Sequence, residues 1–190
     1  MLTDLRTALR AALVLTLAFA LLLGFAYPLA LTGLGQLLFT EQANGSLVRD
    51  HDQIVGSSLI GQSFASDRYF HGRPSAAGSG YDGLASAGSN LGPTSKALAE
   101  RVTKDVVALG GGPVPNDLVL TSGSGLDPHI SPEAARFQIS RVAKARNLPL
   151  QTLSDLVDHV TEQPLLGVLG EPRVNVLALN QALDAQGVRP

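Results

Sequence analysis

No charged residue stands between Arg10 and Glu41, and the first part of that run, Ala11 to Tyr27, is almost entirely Ala, Val, Leu, Phe and Gly. A helix over 11–31 would be about 30 Å long at about 1.5 Å per residue, which is the thickness of a bilayer's hydrocarbon core. The run therefore reads as one membrane span. Arg6 and Arg10 precede it and the first charge after it is Glu41. The positive-inside bias then retains residues 1–10 in the cytoplasm and puts the bulk of the chain outside. Tyr27 stands where an interfacial aromatic belongs, and Pro28, which lacks a backbone donor, is expected to end or kink the helix near the far surface. A cleaved signal peptide would share the basic start, the apolar stretch and a small-residue site, here Gly24-Phe25-Ala26. Against it, Leu29, Ala30, Leu31, Leu34, Leu37, Leu38 and Phe39 continue the apolar character past that site. A mature N-terminus so apolar is unusual for a soluble domain, and the anchor is the better reading.

Residues 32–52 read as a linker, with Asn44-Gly45-Ser46 as a turn signal, and 53–190 as one extracytoplasmic α/β domain of mixed α+β character. The Asn-x-Ser spelling of that turn is also a glycosylation pattern, short enough to arise by chance. The net charge of −2 includes Asp4, Arg6 and Arg10 ahead of the span, so the remainder is slightly more acidic and offers nucleic acid no basic face. With no cysteine there is no disulfide framework, thiolate metal site or cysteine nucleophile. With no Trp and 5% aromatic residues, the stacking platforms of a base binder are missing too.

Within the domain, Ser57 to Phe70 reads as a short strand and a packed loop, and the Gly-, Ser- and Ala-rich 76–93 as loop. Thr94 or Ser95 can cap a helix with Leu98, Val102, Val106 and Leu109 inward and Glu100 paired with Lys104, ended by Gly110-Gly111-Gly112. Leu118-Val119-Leu120 reads as a strand. Ser131-Pro132-Glu133 starts a helix that carries Ala135, Ile139 and Val142 inward and Arg141, Lys144 and Arg146 toward its negative end, before Pro149. Leu153, Leu156, Val157 and Val160 mark a third helix ending before Pro164. Arg173 to Asp184 reads as a strand or bend entering a terminal helix, closed by Gly187.

Two Gly/Ser loops precede helices: Ser86-Ala87-Gly88-Ser89-Asn90, and Thr121 to Ile130 with Gly123 and Gly125. Backbone N–H groups at a helix start can bind phosphate, but the same glycines serve tight turns, and neither loop spells a P-loop or a dinucleotide fingerprint. Asp127 and His129 flank Pro128 as a carboxylate and imidazole, or simply as turn formers. His71 and His159 have no metal-ligand spacing, and no metal site or nucleophile elbow is spelled out. In the span, Ala12, Ala20 and Gly24 make a strip of small residues along which another membrane helix can approach closely.

The stretches Gly56–Ala65, Tyr69–Ala77, Gly88–Thr94, Pro113–Val119, Ser122–Leu148 and Glu171–Gln181 resemble, in order, the C subunit of the Kdp-type potassium-transporting ATPase of bacteria, a family that also has a single N-terminal span. The resemblance implies a non-catalytic subunit in the bacterial inner membrane, with no activity alone. Its partners would be a potassium-channel-like subunit, a P-type ATPase subunit and a small membrane subunit. It also implies a catalytic chaperone that raises the ATPase subunit's affinity for ATP in a transient complex, with Ser86, Gly88, Ser89 and Asn90 near nucleotide and no tightly bound cofactor. Ala87 departs from the family's usual Ser-Gly-Gly-Ser-Asn loop. The charge pattern, however, places that loop outside the cell, away from cytoplasmic ATP. A role in assembly, holding the channel-like subunit and shaping its outer mouth, fits both lines, with Gly123, Gly125, Asp127 and His129 in a structural or interface loop. The alternative is a membrane-anchored binding module or hydrolase built on Asp127, His129 and the serines.

Overall fold

The computed structural model describes residues 2–50 and 52–186, so Gly187, expected to close the last helix, lies outside the described residues. The chain divides into two units, Met1–Leu47 and Val48–Pro190.

In the first unit α1 (Leu2–Leu21) runs through a π turn (Leu22–Ala26) into α2 (Tyr27–Leu38), and α3 (Thr40–Ala43) follows as a single turn. Of the two outcomes expected at Pro28, an end or a kink, the helix does not end there. A regular turn would drive its ring into the Gly24 carbonyl and leave a bond unmade. Instead the backbone widens just before it, so that the Tyr27 N–H donates to the Leu22 carbonyl five residues back, and Pro28 falls in the first turn of α2. The 34 residues from Leu5 to Leu38 form a helical segment long and apolar enough to cross a bilayer. Phe39 leaves helical geometry with φ −137°. The end is closed by the Asn44 side-chain amide, which donates to the Thr40 carbonyl at 2.6 Å and to Gln36 Oε1 at 3.1 Å. Where a linker is expected over 32–52, there are thus the last turns of α2, α3 and the strand β1 (Leu47–Asp50).

In the second unit β1 pairs with β2 (Gln53–Ser57), and three helices hold the core. α5 (Pro132–Arg146) begins as its sequence demands: the Ser131 hydroxyl accepts the Ala134 N–H at 3.1 Å, and Asn147 in the left-handed region closes the other end. α6 (Leu150–Val160) buries Leu153, Leu156 and Val157 against α5, and α7 (Val176–Ala185), capped by Asn175, buries Val176, Leu179 and Leu183. Each such side chain removed from water is worth about 1.5–3 kcal/mol, which makes this three-helix contact the main source of stability. Strands β3 (His129–Ile130) and β4 (Val174–Asn175) pair antiparallel, with His129 opposite Asn175 and Ile130 opposite Val174. They tie the start of α5 to the start of α7.

The fold is mixed helix and sheet as expected, but among the described residues the sheet is confined to the β1–β2 hairpin and the two-residue pair of β3 and β4. Leu118-Val119-Leu120 is no strand: Asn116–Leu118 is a 3₁₀ turn, and the Asn116 carbonyl accepts N–H groups from both Val119 and Leu120. These three apolar residues satisfy their N–H groups within the turn instead, while the Val119 and Leu120 carbonyls accept from the Arg101 and Arg73 guanidinium groups. The strand expected to begin at Ser57 ends there, since Gly61 turns the chain to donate to the Leu126 carbonyl at 2.8 Å. α4 (Lys96–Ala108) is capped by Ser95 and buries no residue fully; Leu98, Val102 and Val106 are half-buried and Leu109 is exposed. Glu100 pairs with Lys96 one turn before it, at 3.5 Å, and not with Lys104.

Candidate functional site

Far apart in the chain, the two Gly/Ser loops are clamped against each other. The Ala87 N–H donates to the Ser124 carbonyl at 3.0 Å, and the Ser86 hydroxyl donates to the same oxygen at 2.9 Å. Glycines stand where the two sides of the clamp touch, and at Gly125 no side chain fits. A Cβ on Gly125, whose φ is +68°, would lie 2.5 Å from the Ala87 carbonyl oxygen, and one on Gly88 would lie 3.0 Å from that of Gly123. Ala87 is a different matter. Positive φ among the described non-glycine residues falls at Ser46, Tyr81, Asn90, Asn147 and Leu166, not at Ala87, so its methyl group costs no backbone strain. Ser89 is half-buried beside this contact, and Asn90 is exposed in a left-handed conformation at φ 52°.

Polar groups of the second loop also close on one another. The Gly125 N–H donates to the Ser122 carbonyl at 3.3 Å, and the Ser124 hydroxyl accepts the Leu126 N–H at 3.1 Å. A third segment, unmarked in the sequence, joins them. The Ser75 hydroxyl donates to the Gly125 carbonyl at 2.6 Å while accepting N–H groups from Tyr81 at 2.8 Å and Ala77 at 3.2 Å. Tyr81 donates its phenol to the Arg73 carbonyl. Burial first, and then the charge of Asp127, raises the Tyr81 pKa, which preserves the proton that this bond needs. Nothing in the local spelling of Pro74-Ser75-Ala76 signals such a hub.

Asp127 and His129 do come together, but as a turn. Asp127 Oδ1 accepts the His129 backbone N–H at 3.0 Å and lies 3.6 Å from its Nδ1. The other carboxylate oxygen is 3.5 Å from the Arg73 guanidinium, which also sits 3.4 Å from Asp117 and donates through Nε to the Leu120 carbonyl. Asp117 in turn accepts the Ser131 N–H at the head of α5. Arg73 is thus the charged pin between both carboxylates and the end of the 3₁₀ turn. Among the described residues no cluster of three or more His, Asp or Glu side chains is arranged to hold a metal ion.

Behind the clamp the chain is seized by two buried amides. Asn180 of α7 brackets Phe70, accepting its N–H at 2.8 Å and donating to its carbonyl at 2.9 Å. Gln138 of α5 does the same for His71, at 2.8 and 3.0 Å. Arg146, expected only to sit at the helix's negative end, is buried: it donates to the Arg68 carbonyl at 2.7 Å, pairs with Asp184 at 2.7 Å and lies 4.6 Å from the Tyr69 ring centre. These residues carried a legible signal. Gln138 and Arg146 fall on the apolar stripe of Ala135, Ile139 and Val142, and Asn180 on that of Val176, Leu179 and Leu183. A cleft of about 700 Å³ opens beside the clamp, with His71, Arg73, Tyr81, Phe137, Gln138 and Arg141 in its wall. Burial, with the nearby Arg141 charge adding, lowers the His71 pKa, and the Ser66 carbonyl 3.0 Å from Nε2 opposes it. Ala12, Ala20 and Gly24 belong to the other unit, where Gly24 lies inside the π turn.

The chain thus combines a long apolar helix with a helix-centred unit whose serine and glycine loops brace one another. The Ser75, Ser86 and Ser124 hydroxyls bond backbone groups, and Asp127 is held by a turn and an arginine. The family model described as "K+-transporting ATPase, c chain" (KdpC) matches residues 9–185. The chain is 58% identical over 183 residues to the potassium-transporting ATPase KdpC subunit of Caulobacter vibrioides, covering 94% of this chain and 93% of that one. Against the subunit of the same name from Methylobacterium nodulans it is 57% identical over 192 residues, with 93% and 96% covered. Against that from Myxococcus xanthus it is 59% identical over 170 residues, with 86% and 81% covered. The chain belongs to the KdpC family.

Proposed function

We propose that the chain is a non-catalytic subunit of an ATP-driven, high-affinity potassium uptake pump in the bacterial inner membrane. It is anchored by its single apolar helix with the N-terminus inside and the second unit outside. Its task is assembly: it holds the channel-like subunit beside the P-type ATPase subunit and the small membrane subunit, and shapes the outer mouth of the potassium path. Family membership over 9–185 supports the subunit role, and Arg6 and Arg10 ahead of an uncharged run support the orientation. The observation that carries the mechanical reading is the clamp. N–H groups of Ala87, Gly125 and Leu126, and the Ser86 hydroxyl, are bonded inside it, so these groups brace the domain instead of standing open to a phosphate. In the membrane, Ala12 and Ala20 give a partner helix close approach, and Gly24 in the π turn extends that contact.

A role in raising the ATPase subunit's affinity for ATP would instead require Ser86, Gly88, Ser89 and Asn90 to reach phosphate on the cytoplasmic side. Protease added to spheroplasts separates the two. Digestion after Gly45 with an N-terminal tag spared is the expected result; protection of the second unit would overturn the orientation and restore direct nucleotide contact.

A further inference from the structure

Residues 164–170 form a hairpin tip that buries none of its large side chains: Leu166 is 83% and Val168 78% exposed, and Leu165 and Leu169 are exposed as well. The tip is built, not loose. Its stem is closed by two backbone bonds between Glu162 and Arg173, at 2.8 and 3.1 Å, and by their side-chain ion pair at 2.8 Å. Above it, Leu165 and Leu169 exchange backbone bonds at 3.0 Å in both directions. Leu166 and Gly167 both have positive φ, 56° and 74°. That pair of conformations favours Asn-Gly; a leucine there holds local strain, which persists where the side chain's position has a use. A strained backbone therefore presents an apolar side chain to the outside, where folding alone gains nothing from it.

Resting on the subunit role proposed above, we propose that this tip is a docking knob, inserted into an uncharged apolar groove on the partner subunit that also holds the membrane helix. The charge pattern argues against a lipid surface. No charged or aromatic residue occurs from Gln163 to Gly170, and Glu162 and Glu171 flank the tip, whereas segments that seat in lipid headgroups carry Lys, Arg, Trp or Tyr. The size argues against a second copy. Four side chains offer a few hundred Å², far below the roughly 1,200 Å² of a stable interface. Such a contact is effective only as a second attachment, where the anchor has already raised the local concentration of the partner.

The chain has no cysteine, so Val168→Cys is a unique label site. In the full chain reconstituted in nanodiscs, the thiol of this variant should react freely with a water-soluble maleimide when the chain is alone, and about tenfold more slowly in the assembled complex. Leu166→Asn should leave the thermal midpoint of the isolated chain equal or higher, because it relieves the left-handed strain, while the complex dissociates about tenfold more readily in detergent, as expected for one lost apolar anchor. Protection in nanodiscs without partners would assign the tip to lipid and overturn the proposal. Cross-links between copies through the cysteine would assign it to self-association and do the same. An assembled complex whose tip stays fully reactive, or a Leu166→Asn variant that assembles normally, would refute the knob alone. Failure of the wild-type chain to co-purify with any membrane subunit would refute the subunit role itself.

Discussion

Within the second unit, helices α5 to α7 and the loops around Ser75, Ala87 and Gly125 are ordered by different forces. The helices bury Ala135, Val142, Leu153, Val157, Leu179 and Leu183, and their stability follows from apolar area removed from water. The loops bury few large side chains. They are held by hydrogen bonds onto backbone carbonyls and by glycines at which two main chains come within contact distance. It follows that the helical half tolerates changes of shape in proportion to lost volume, whereas the loop half tolerates any residue that leaves the backbone approach free and almost none that does not. Asn180 and Gln138 are the joints, where helix side chains take the place of a neighbouring strand for the extended segment at Phe70 and His71.

The severest test of this contrast is Gly125→Val. With φ at +68° and a Cβ 2.5 Å from the Ala87 carbonyl oxygen and 2.8 Å from the Ala77 nitrogen, the substitution should cost more than about 4 kcal/mol. Thermal melting of the full chain in detergent and recovery of the complex should fail together; a normal melting midpoint would show that the clamp is not rigid. Next in size is Leu153→Ala, at a fully buried position, expected to lower stability by about 3 kcal/mol with the clamp intact. Denaturant titration measures this, and a loss under about 1 kcal/mol would mean that the helical half collapses around the gap.

Ser75→Ala removes one hydroxyl that bonds the Gly125 carbonyl and two backbone N–H groups, and should cost about 2 kcal/mol. Amide exchange should speed up at Tyr81 and Ala77 before it does in α5; exchange rising equally in both halves would erase the distinction. The smallest effect is expected at His71. Its pKa is lowered in the fold, chiefly by burial, so as pH falls below the usual histidine value of about 6.5 the unfolded chain takes up the proton first. The stability associated with neutral His71 is complete above that pH and is lost as pH falls toward the folded value. His71→Asn should flatten the acid-side decline of the melting midpoint, and an unchanged slope would mean that burial in the fold does not favour the neutral imidazole.

Much of the helical half was legible in the residues themselves. Ser131-Pro132-Glu133 announces the start of α5, and the spacing of Leu153, Leu156 and Val157 announces α6, because caps and periodicity are local properties of a helix. The site was legible only as ingredients. Ser86 to Asn90 and Thr121 to Ile130 stand out by composition, yet their partnership depends on Gly88 facing Gly123 and Gly125 facing Ala87, contacts between residues dozens of positions apart. The misread strand at Leu118 to Leu120 has the same origin: apolar content is local, but a strand exists only if another one lies beside it.

The order of residues alone was enough for the long apolar helix, the family, the start of α5 and the faces that α5 and α6 bury, since each rests on composition or on spacing within a few turns. Contacts across the folded chain settled that Pro28 is absorbed by a π turn, that Arg146 lies buried against Asp184 and Tyr69, that Ser75 is the hub of the clamp, and that residues 164–170 stand exposed on a closed stem. These depend on which distant groups meet. Hydrogen bonds and close contacts act over a few ångströms of space, and chain order does not say which residues that space will contain.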